Sequence, residues 1–404
     1  MKFIKVPMAG IPVGLDNLLS GVRSLFVQED RYLFDFENEL QKFFDAKKCF
    51  TINTGTAGLY IILKSIAKIS PDRREVIIPA YTAPGIMLAI KDANLEPVLC
   101  DIELETFNMD INQLKSLITQ NTLCVIAVNM FGIPLDLVQI EKITKKHNVF
   151  VIDDSAQAMG SIFSGKRLGN FGDVGITSFG RGKNISTYNG GCIIVNNEEL
   201  IEPILEELKE IHRMSANMQR ILAVELFAVS FAVRPFFYSI FYPVLSKFKS
   251  DRPHQDFKIY KYTNWQSAIG LSILKKIEVF TNQRFRNGVE ILSELSDIKE
   301  IILPKILSDS VPAFNRFPII IKHQGLREQL MRLLFYEGIE SSIMYFKPLH
   351  HIFELGYRKD KEPFPNAAYL ADRLITLPVH PLIRKNTIKR MKNVLFKFFS
   401  KEKG

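Results

Sequence analysis

Apolar runs too short to be helices recur through the first half of the 404-residue chain, at 76–78, 98–100, 123–128, 149–152, 174–179 and 192–195. Inside each run the apolar residues are nearly continuous rather than alternating, the pattern of strands covered on both faces in a parallel sheet. A further strand is expected at 49–52. It runs into Thr54, Gly55 and Thr56 and then a helix over 57–69, with Leu59, Ile62, Leu63 and Ile66 at helical spacing. Strand, glycine turn and helix repeat in this way to about residue 200, so the expected fold class is α/β, an open layered sheet with helices on both faces.

The later part of the chain changes texture. An amphipathic helix is expected over 198–212, followed by an apolar stretch at 221–233 and an aromatic-rich one at 235–245. Each is too short to span a bilayer, which takes about 18 apolar residues or more, and Arg234 and Pro235 interrupt the pair. Two readings stand: a buried helical hairpin or subunit interface, and a monotopic hairpin lying in a membrane surface with Lys247, Lys249 and Arg252 as its basic flank. A helical region follows at 265–295. The remainder reads as a smaller α/β unit with a strand at 317–321, a helix at 326–337 ended by Gly338, and a basic helix at 386–399. The expected division is a large domain at 20–255, carrying the apolar insertion 221–250, and a small domain at 256–404 that recruits the arm 1–19.

A net charge of +9 and a pI near 9.2 suit an anionic small molecule or an anionic membrane face. The basic residues are scattered rather than clustered, which argues against nucleic acid. Cys49, Cys100, Cys124 and Cys192 have no metal-ligand spacing and read as reduced thiols of a cytoplasmic protein, so no metal is expected. The apolar part of the N-terminus is too short for a signal peptide, and export is not indicated.

One lysine stands where chemistry is possible. Lys183 lies just beyond the run 174–179, and Asp153 and Asp154 end the run 149–152. In an open parallel sheet the carboxyl ends of the strands share one crevice, so Lys183 and Asp154 can meet the same ligand. A lysine that condenses with an aldehyde, and an acid that keeps a pyridine nitrogen protonated, are what pyridoxal phosphate requires. Gly55 and Thr56 open a helix whose free amides suit the phosphate, and Ser178 could add a hydroxyl. Taken singly, each has a plainer explanation: a solvated loop lysine, an acidic cap, an ordinary helix start.

Their order along the chain resembles the sugar aminotransferases of the DegT/DnrJ/StrS type, which are fold type I pyridoxal phosphate enzymes. Asn53 to Ala57 resemble the family's N-S-G-T-A turn, Val76 to Thr82 its V-I-x-P-x-x-T, and Gly132, Pro134 and Asp136 its G-x-P-x-D. Asp154 to Gly160 are similar to D-A-A-[QH]-A-x-G, and Ser178, Phe179 and Lys183 to S-F-x-x-x-K. Further similarities lie at Gln266 and Gly270, at Tyr345, Pro348, Leu349 and His350, and at Leu377 to Pro381. The resemblance implies a large domain with a mostly parallel seven-stranded sheet between helices, a smaller C-terminal α/β domain, and a homodimer. It implies pyridoxal 5'-phosphate as cofactor, with Lys183 carrying it and moving the proton. Asp154 would face the pyridine nitrogen and Gln157 the ring hydroxyl, while Gly55, Thr56 and Ser178 would hold the phosphate. The substrates implied are an amino donor, usually glutamate, and a keto sugar carried on a nucleotide, with Tyr345, Lys347 and His350 facing the acceptor.

The chain departs from the pattern at several positions. Ala83 stands where an aromatic usually covers the cofactor ring, leaving Tyr81 as the candidate to stack. Gly180, Tyr188 and Asn189 replace the usual residues around the lysine. Ile259 aligns with an asparagine that reaches the neighbouring subunit's phosphate, and Arg181 is a candidate cation in its place, for a phosphate or a donor carboxylate. Two other classes compete with an aminotransferase. Related sugar dehydratases carry histidine where Lys183 stands, and a silent regulatory relative would keep the fold without the chemistry.

Overall fold

The computed structural model describes residues 4–10, 13–27, 30–245, 256–357 and 360–401. Its first strands are β1 (Lys48–Ile52), β2 (Glu75–Pro79), β3 (Glu96–Cys100), β4 (Thr122–Val128) and β5 (Phe150–Asp154). After them come the short pair β6 (Ile162–Phe163) and β7 (Lys166–Arg167), then β8 (Val174–Ser178) and β9 (Gly191–Val195). A seven-stranded sheet runs in the order β1-β9-β8-β5-β4-β2-β3. Every pairing is parallel except those of β9, which opposes both β1 and β8. The mostly parallel sheet expected from the apolar runs is present.

Continuous hydrophobicity has the expected cause. On β2 and β4, Val76, Ile78, Cys124 and Ile126 pack into the core on one face, while Ile77, Val125 and Ala127 pack into a separate core on the other. Each large aliphatic side chain buried in this way contributes about 1.5–3 kcal/mol, and a polar residue at either parity would be left without water. The helix Gly55–Ile69 lies over the first of these faces. Its start is fixed by Thr54, whose Oγ1 accepts from Ala57 N at 3.0 Å, and Gly58 lets it close on the sheet. A Cβ at Gly58 would meet Ile176 Cδ1 at 2.7 Å.

The smaller unit is built on β10 (Ile301–Ile302), β12 (Phe317–Ile321) and β13 (Leu374–Leu377), paired antiparallel, with β11 (Ser310–Val311) reaching back to β6. Helices Arg327–Tyr336 and Lys385–Lys401 match the expected ones within about a turn. The region 265–295 is two helices, Asn264–Leu274 and Ile277–Leu295, broken at Lys276 without a glycine or proline to announce it. The helix expected over 198–212 stops earlier, spanning Ile201–Lys209. The N-terminal arm joins the small unit: Val6 N donates to Gly338 O at 2.9 Å, and Met8 N to Glu340 Oε2 at 2.7 Å. His380 secures it, its Nε2 2.9 Å from Pro7 O while Nδ1 accepts from Leu382 N. The following helix, Leu15–Arg23, packs instead on Asn264–Leu274. The expected boundary near 255 falls outside the described residues.

The apolar insertion forms two helices, Ala216–Ala232 and Pro235–Leu245, and the pair is bent by 104° at the intervening break. Only a narrow stripe is covered: Leu222, Leu226 and Tyr238 are buried, whereas Val224 is 68% and Phe227 54% exposed. Between the first of these helices and Leu15–Arg23 runs a groove of about 640 Å³ walled by Leu15, Leu19, Val22, Val224, Phe227 and Trp265. Among the described residues no single helix is long and apolar enough to cross a membrane. The basic flank Lys247, Lys249 and Arg252 lies outside the described residues.

Candidate active site

The loop between β8 and β9 carries the lysine. Lys183 N closes a turn onto Gly180 O at 3.2 Å, and Gly182, third in that turn, adopts φ +77°, a conformation that glycine takes without a Cβ penalty. From outside, Asn315 Nδ2 grips Gly182 O at 2.7 Å, and Asn184 Nδ2 reaches Met159 O and Ala313 O. The lysine is therefore held from the large sheet on one side and the small unit on the other.

Lys183 opens into a cavity of about 200 Å³, walled also by Thr54, Gly55, Thr56, Ala83, Gly85, Asp154, Ser178 and Asn189. Burial pushes the lysine down to about 8, with Asp154 opposing the shift and Arg316 adding to it. A substantial fraction of the amine is thus neutral near pH 8, as nucleophilic attack on an aldehyde requires. Asp154 is raised by burial and lowered by its own contacts: Ala156 N donates to Oδ1 at 2.8 Å and Lys183 stands nearby. That amide is the carboxylate's sole hydrogen-bond partner among the described residues, so it has capacity left for a cationic N–H. Asp153, one residue earlier, points to the opposite face, where Asn129 Nδ2, Gly169 N and Phe171 N donate to it. Those donors counter a burial that pushes its carboxyl up to about 7. The paired carboxylates are thus one site residue and one structural residue, as strand alternation demands.

The opposite wall suits an anion. The helices Gly55–Ile69 and Pro84–Asp92 both begin there, each with free amides in its first turn. The backbones run close here: a Cβ on Gly55 would sit 3.3 Å from Ser178 Cβ, and one on Gly85 would sit 2.8 Å from Thr56 Oγ1. Ser178 Oγ accepts from Gly180 N at 3.2 Å, leaving its proton free to donate. Gly55, Thr56, Ser178, Asp154 and Lys183 are thus brought together as expected.

Other expected site residues lie elsewhere. Tyr81 does not border this cavity. It is buried against Tyr345, ring centres 5.6 Å apart, and its hydroxyl accepts from Tyr345 N at 3.2 Å, so the ring is committed to joining the two units. Gln157 lies behind the cavity, its Oε1 accepting from Phe131 N at 3.2 Å and its Nε2 donating to the Tyr345 hydroxyl at 3.3 Å. Arg181 is exposed and lies over the Tyr188 ring, 5.1 Å from its centre. Lys347 and His350 border a second pocket of about 460 Å³, where Glu362 takes His350 Nε2 at 2.6 Å and His351 Nε2 at 3.0 Å. Ile259 packs half-buried against the core, and its neighbours bond to Asn53: Lys258 O accepts from Asn53 Nδ2, and Tyr260 N donates to Asn53 Oδ1. Arg316, at the threshold of β12, was invisible in the sequence, because a charged residue before an apolar run is ordinarily a solvated strand end.

An open parallel sheet, a lysine and an aspartate at its carboxyl edge, and a glycine-lined anion wall define a fold type I pyridoxal phosphate enzyme. The chain belongs to the DegT/DnrJ/EryC1/StrS aminotransferase family, whose sequence profile matches residues 17–396. It is 26% identical to GDP-perosamine synthase of Vibrio cholerae, covering 92% of this chain and 91% of that protein. It is also 26% identical to dTDP-4-dehydro-2,6-dideoxy-D-glucose 3-dehydratase of Saccharopolyspora spinosa, over 91% and 80% of the two chains. In structure it resembles PseC of Helicobacter pylori, an aminotransferase involved in pseudoaminic acid biosynthesis, with TM-score 0.80, 20% identity, and coverage of 98% and 100%. The cofactor of the family is pyridoxal phosphate, and the cavity fits it: acid, amine and anion wall are all present, and Asp154 has a spare acceptor.

Proposed function

We propose that the protein transfers an amino group from an amino acid, glutamate being the family's usual donor, to a keto sugar carried on a nucleotide, for cell-surface polysaccharide or secondary-metabolite synthesis. The observation that carries this reading is Lys183 itself, a lysine depressed to about 8 in a cavity shared with Asp154. The cofactor supplies an electron sink when bound. The chain's residues do the rest. Lys183 Nζ holds the cofactor covalently and then, as a free amine, carries a proton between two carbons. Asp154 keeps the pyridine nitrogen protonated. Gly55, Thr56 and Ser178 bind the phosphate; Gln157, whose Nε2 already donates to the Tyr345 hydroxyl at 3.3 Å and to Met130 Sδ at 3.5 Å, would reach the ring hydroxyl only by giving up one of these bonds. Of the residues expected to meet the substrates, Lys347 and His350 border the separate pocket, and neither they nor Arg181 and Tyr345 line the lysine cavity. A dehydratase reading is disfavoured because a lysine, not a histidine, occupies position 183.

Reconstitution with pyridoxal phosphate tests the proposal. The wild type gains the visible band of a lysine-bound cofactor, Lys183→Ala does not, glutamate bleaches the band, and a nucleotide keto sugar restores it. A chain that never acquires the band would sink this reading.

We also propose a cytoplasmic homodimer. The exposed face of the 216–245 hairpin supports a second assignment, peripheral contact with an anionic membrane. Flotation with anionic vesicles favours that contact, and failure to float, with the hairpin cross-linked across a dimer, replaces it by a subunit interface.

A further inference from the structure

Between Lys183 and β9 the backbone makes an unusual turn. Tyr188 adopts φ +77° and Gly190 φ +133°, and an aromatic residue takes such a backbone only where its surroundings impose it. Here the helix Asn264–Leu274 imposes it. Gln266, fully buried on that helix, donates from Nε2 to Thr187 O at 3.2 Å and to Asn189 O at 3.2 Å, while its Oε1 accepts from Thr263 Oγ1 at 2.7 Å. Backbone carbonyls only accept, so the Gln266 amide has one orientation, and Nε2 is the atom it offers to the turn.

That orientation fixes the next side chain. Gln266 Nε2 also lies 2.7 Å from Asn189 Oδ1, so Asn189 turns its oxygen toward the helix and its amide nitrogen away from it. Asn189 is half-buried, and its Nδ2 has no partner among the described residues and is not sealed from solvent. The residue borders the lysine cavity. Its place there is beside the anion wall, because Gly190 bridges to Thr54, and a Cβ on Gly191 would sit 2.8 Å from Gly55 N. Arg181, by contrast, lies over the Tyr188 ring and does not border the cavity.

We propose that Asn189 Nδ2 donates a hydrogen bond to the cofactor phosphate, with Gln266 as the positioning residue that aims it. This rests on the phosphate wall assigned to Gly55, Thr56 and Ser178 above. A neutral amide makes a charge-assisted bond to a phosphate, whereas a carboxylate of the same shape repels it. The phosphate is then gripped within one subunit from two directions, by the start of the helix after β1 and by the turn before β9.

The test titrates the full-length chain, freed of cofactor, with pyridoxal phosphate and with pyridoxal, which lacks the phosphate, and follows the visible band. The ratio of the two half-saturation concentrations isolates the phosphate contacts. Asn189→Ala should lower the preference for the phosphorylated form roughly tenfold, the loss of one charge-assisted hydrogen bond. Asn189→Asp, which puts a like charge beside the phosphate, should lower it by about a hundredfold. Pyridoxal itself should titrate alike in wild type and both variants, which also shows that they fold. Gln266→Met should lower the preference as Asn189→Ala does, and an equal weakening toward both ligands would remove its positioning role. An unchanged preference in Asn189→Asp overturns the proposal, and so does an equal loss toward both ligands in Asn189→Ala. A wild type that captures both ligands equally well defeats the phosphate wall itself, an outcome distinct from these.

Discussion

Around Lys183 the protein places few groups and fixes each one, whereas along residues 216–245 it places many apolar groups and fixes few. The lysine loop is tied by Gly180 O, Asn315 and Asn184, and Asp154 by Ala156 N. On the hairpin, Phe227, Phe236 and Phe241 stand about half exposed, and the covered stripe is little more than Leu222, Leu226 and Tyr238. A site that must present polar atoms to a ligand needs support from behind, so its order is internal to the chain. An apolar face left this open contributes little to the order of the chain among its described residues. The two regions touch where Glu225, on the hairpin's first helix, lies beside the Tyr188 hydroxyl of the lysine loop.

The contrast can be broken first at the crevice. Asp154→Asn should lower turnover by about a hundredfold or more, the range of a lost acid–base partner. It also removes the group that raises Lys183, so the pH at which cofactor capture is half-complete should move below about 8. An unchanged steady-state rate would mean that Asp154 does not face the ring nitrogen.

An effect on stability rather than turnover is expected where the arm is pinned. Burial holds His380 down to about 4, below its unfolded value near 6.5. The unfolded chain therefore binds the extra proton first, and stability is full above pH 6.5 and falls as pH drops toward 4, by about 3 kcal/mol at the end of that window. Thermal melting across the window should show the fall, and His380→Gln should flatten it. A wild-type melt that is level between these values would show that the arm is not held by the neutral ring.

The smallest effect should come from the hairpin. Replacing Phe227 and Phe236 together by serine should change the stability of the isolated chain by no more than about 1 kcal/mol per site, because each is already about half exposed. Self-association or vesicle binding should fall instead. Destabilisation by several kcal/mol in urea melts would make the hairpin part of the chain's own core and erase the contrast.

The two regions were also unequally legible in the sequence. Continuous runs such as 123–128 announced strands buried on both faces, and Thr54 with Gly55 announced a capped helix at a carboxyl edge. The lysine and its aspartate followed from that geometry, and the family's motifs ordered the rest. Direction was the harder property. Nothing in the tyrosine itself said that Tyr81 would turn from the cavity to Tyr345, because an aromatic beside a site has two neighbours and only the packing chooses. The break at Lys276 was hidden because a turn made by ordinary residues leaves no proline or glycine behind. The unpartnered Nε of Arg316 was hidden for a related reason, because burial without a partner shows only in three dimensions.

The lone opposed strand has a further consequence. Because β9 runs back along β8, the lysine sits in a closed ring, residues 179–190, whose ends are locked together by the pairing of Ser178 with Gly191. The entropy of closing such a ring changes slowly with its length, by only about 0.6 kcal/mol for a doubling. Positions such as Gly180, Arg181, Tyr188 and Asn189 can therefore drift, lengthen or be exchanged over evolutionary time while the ring's clasp holds Lys183 over the same spot. The clasp that places the lysine and the residues beside it are thus under separate constraints.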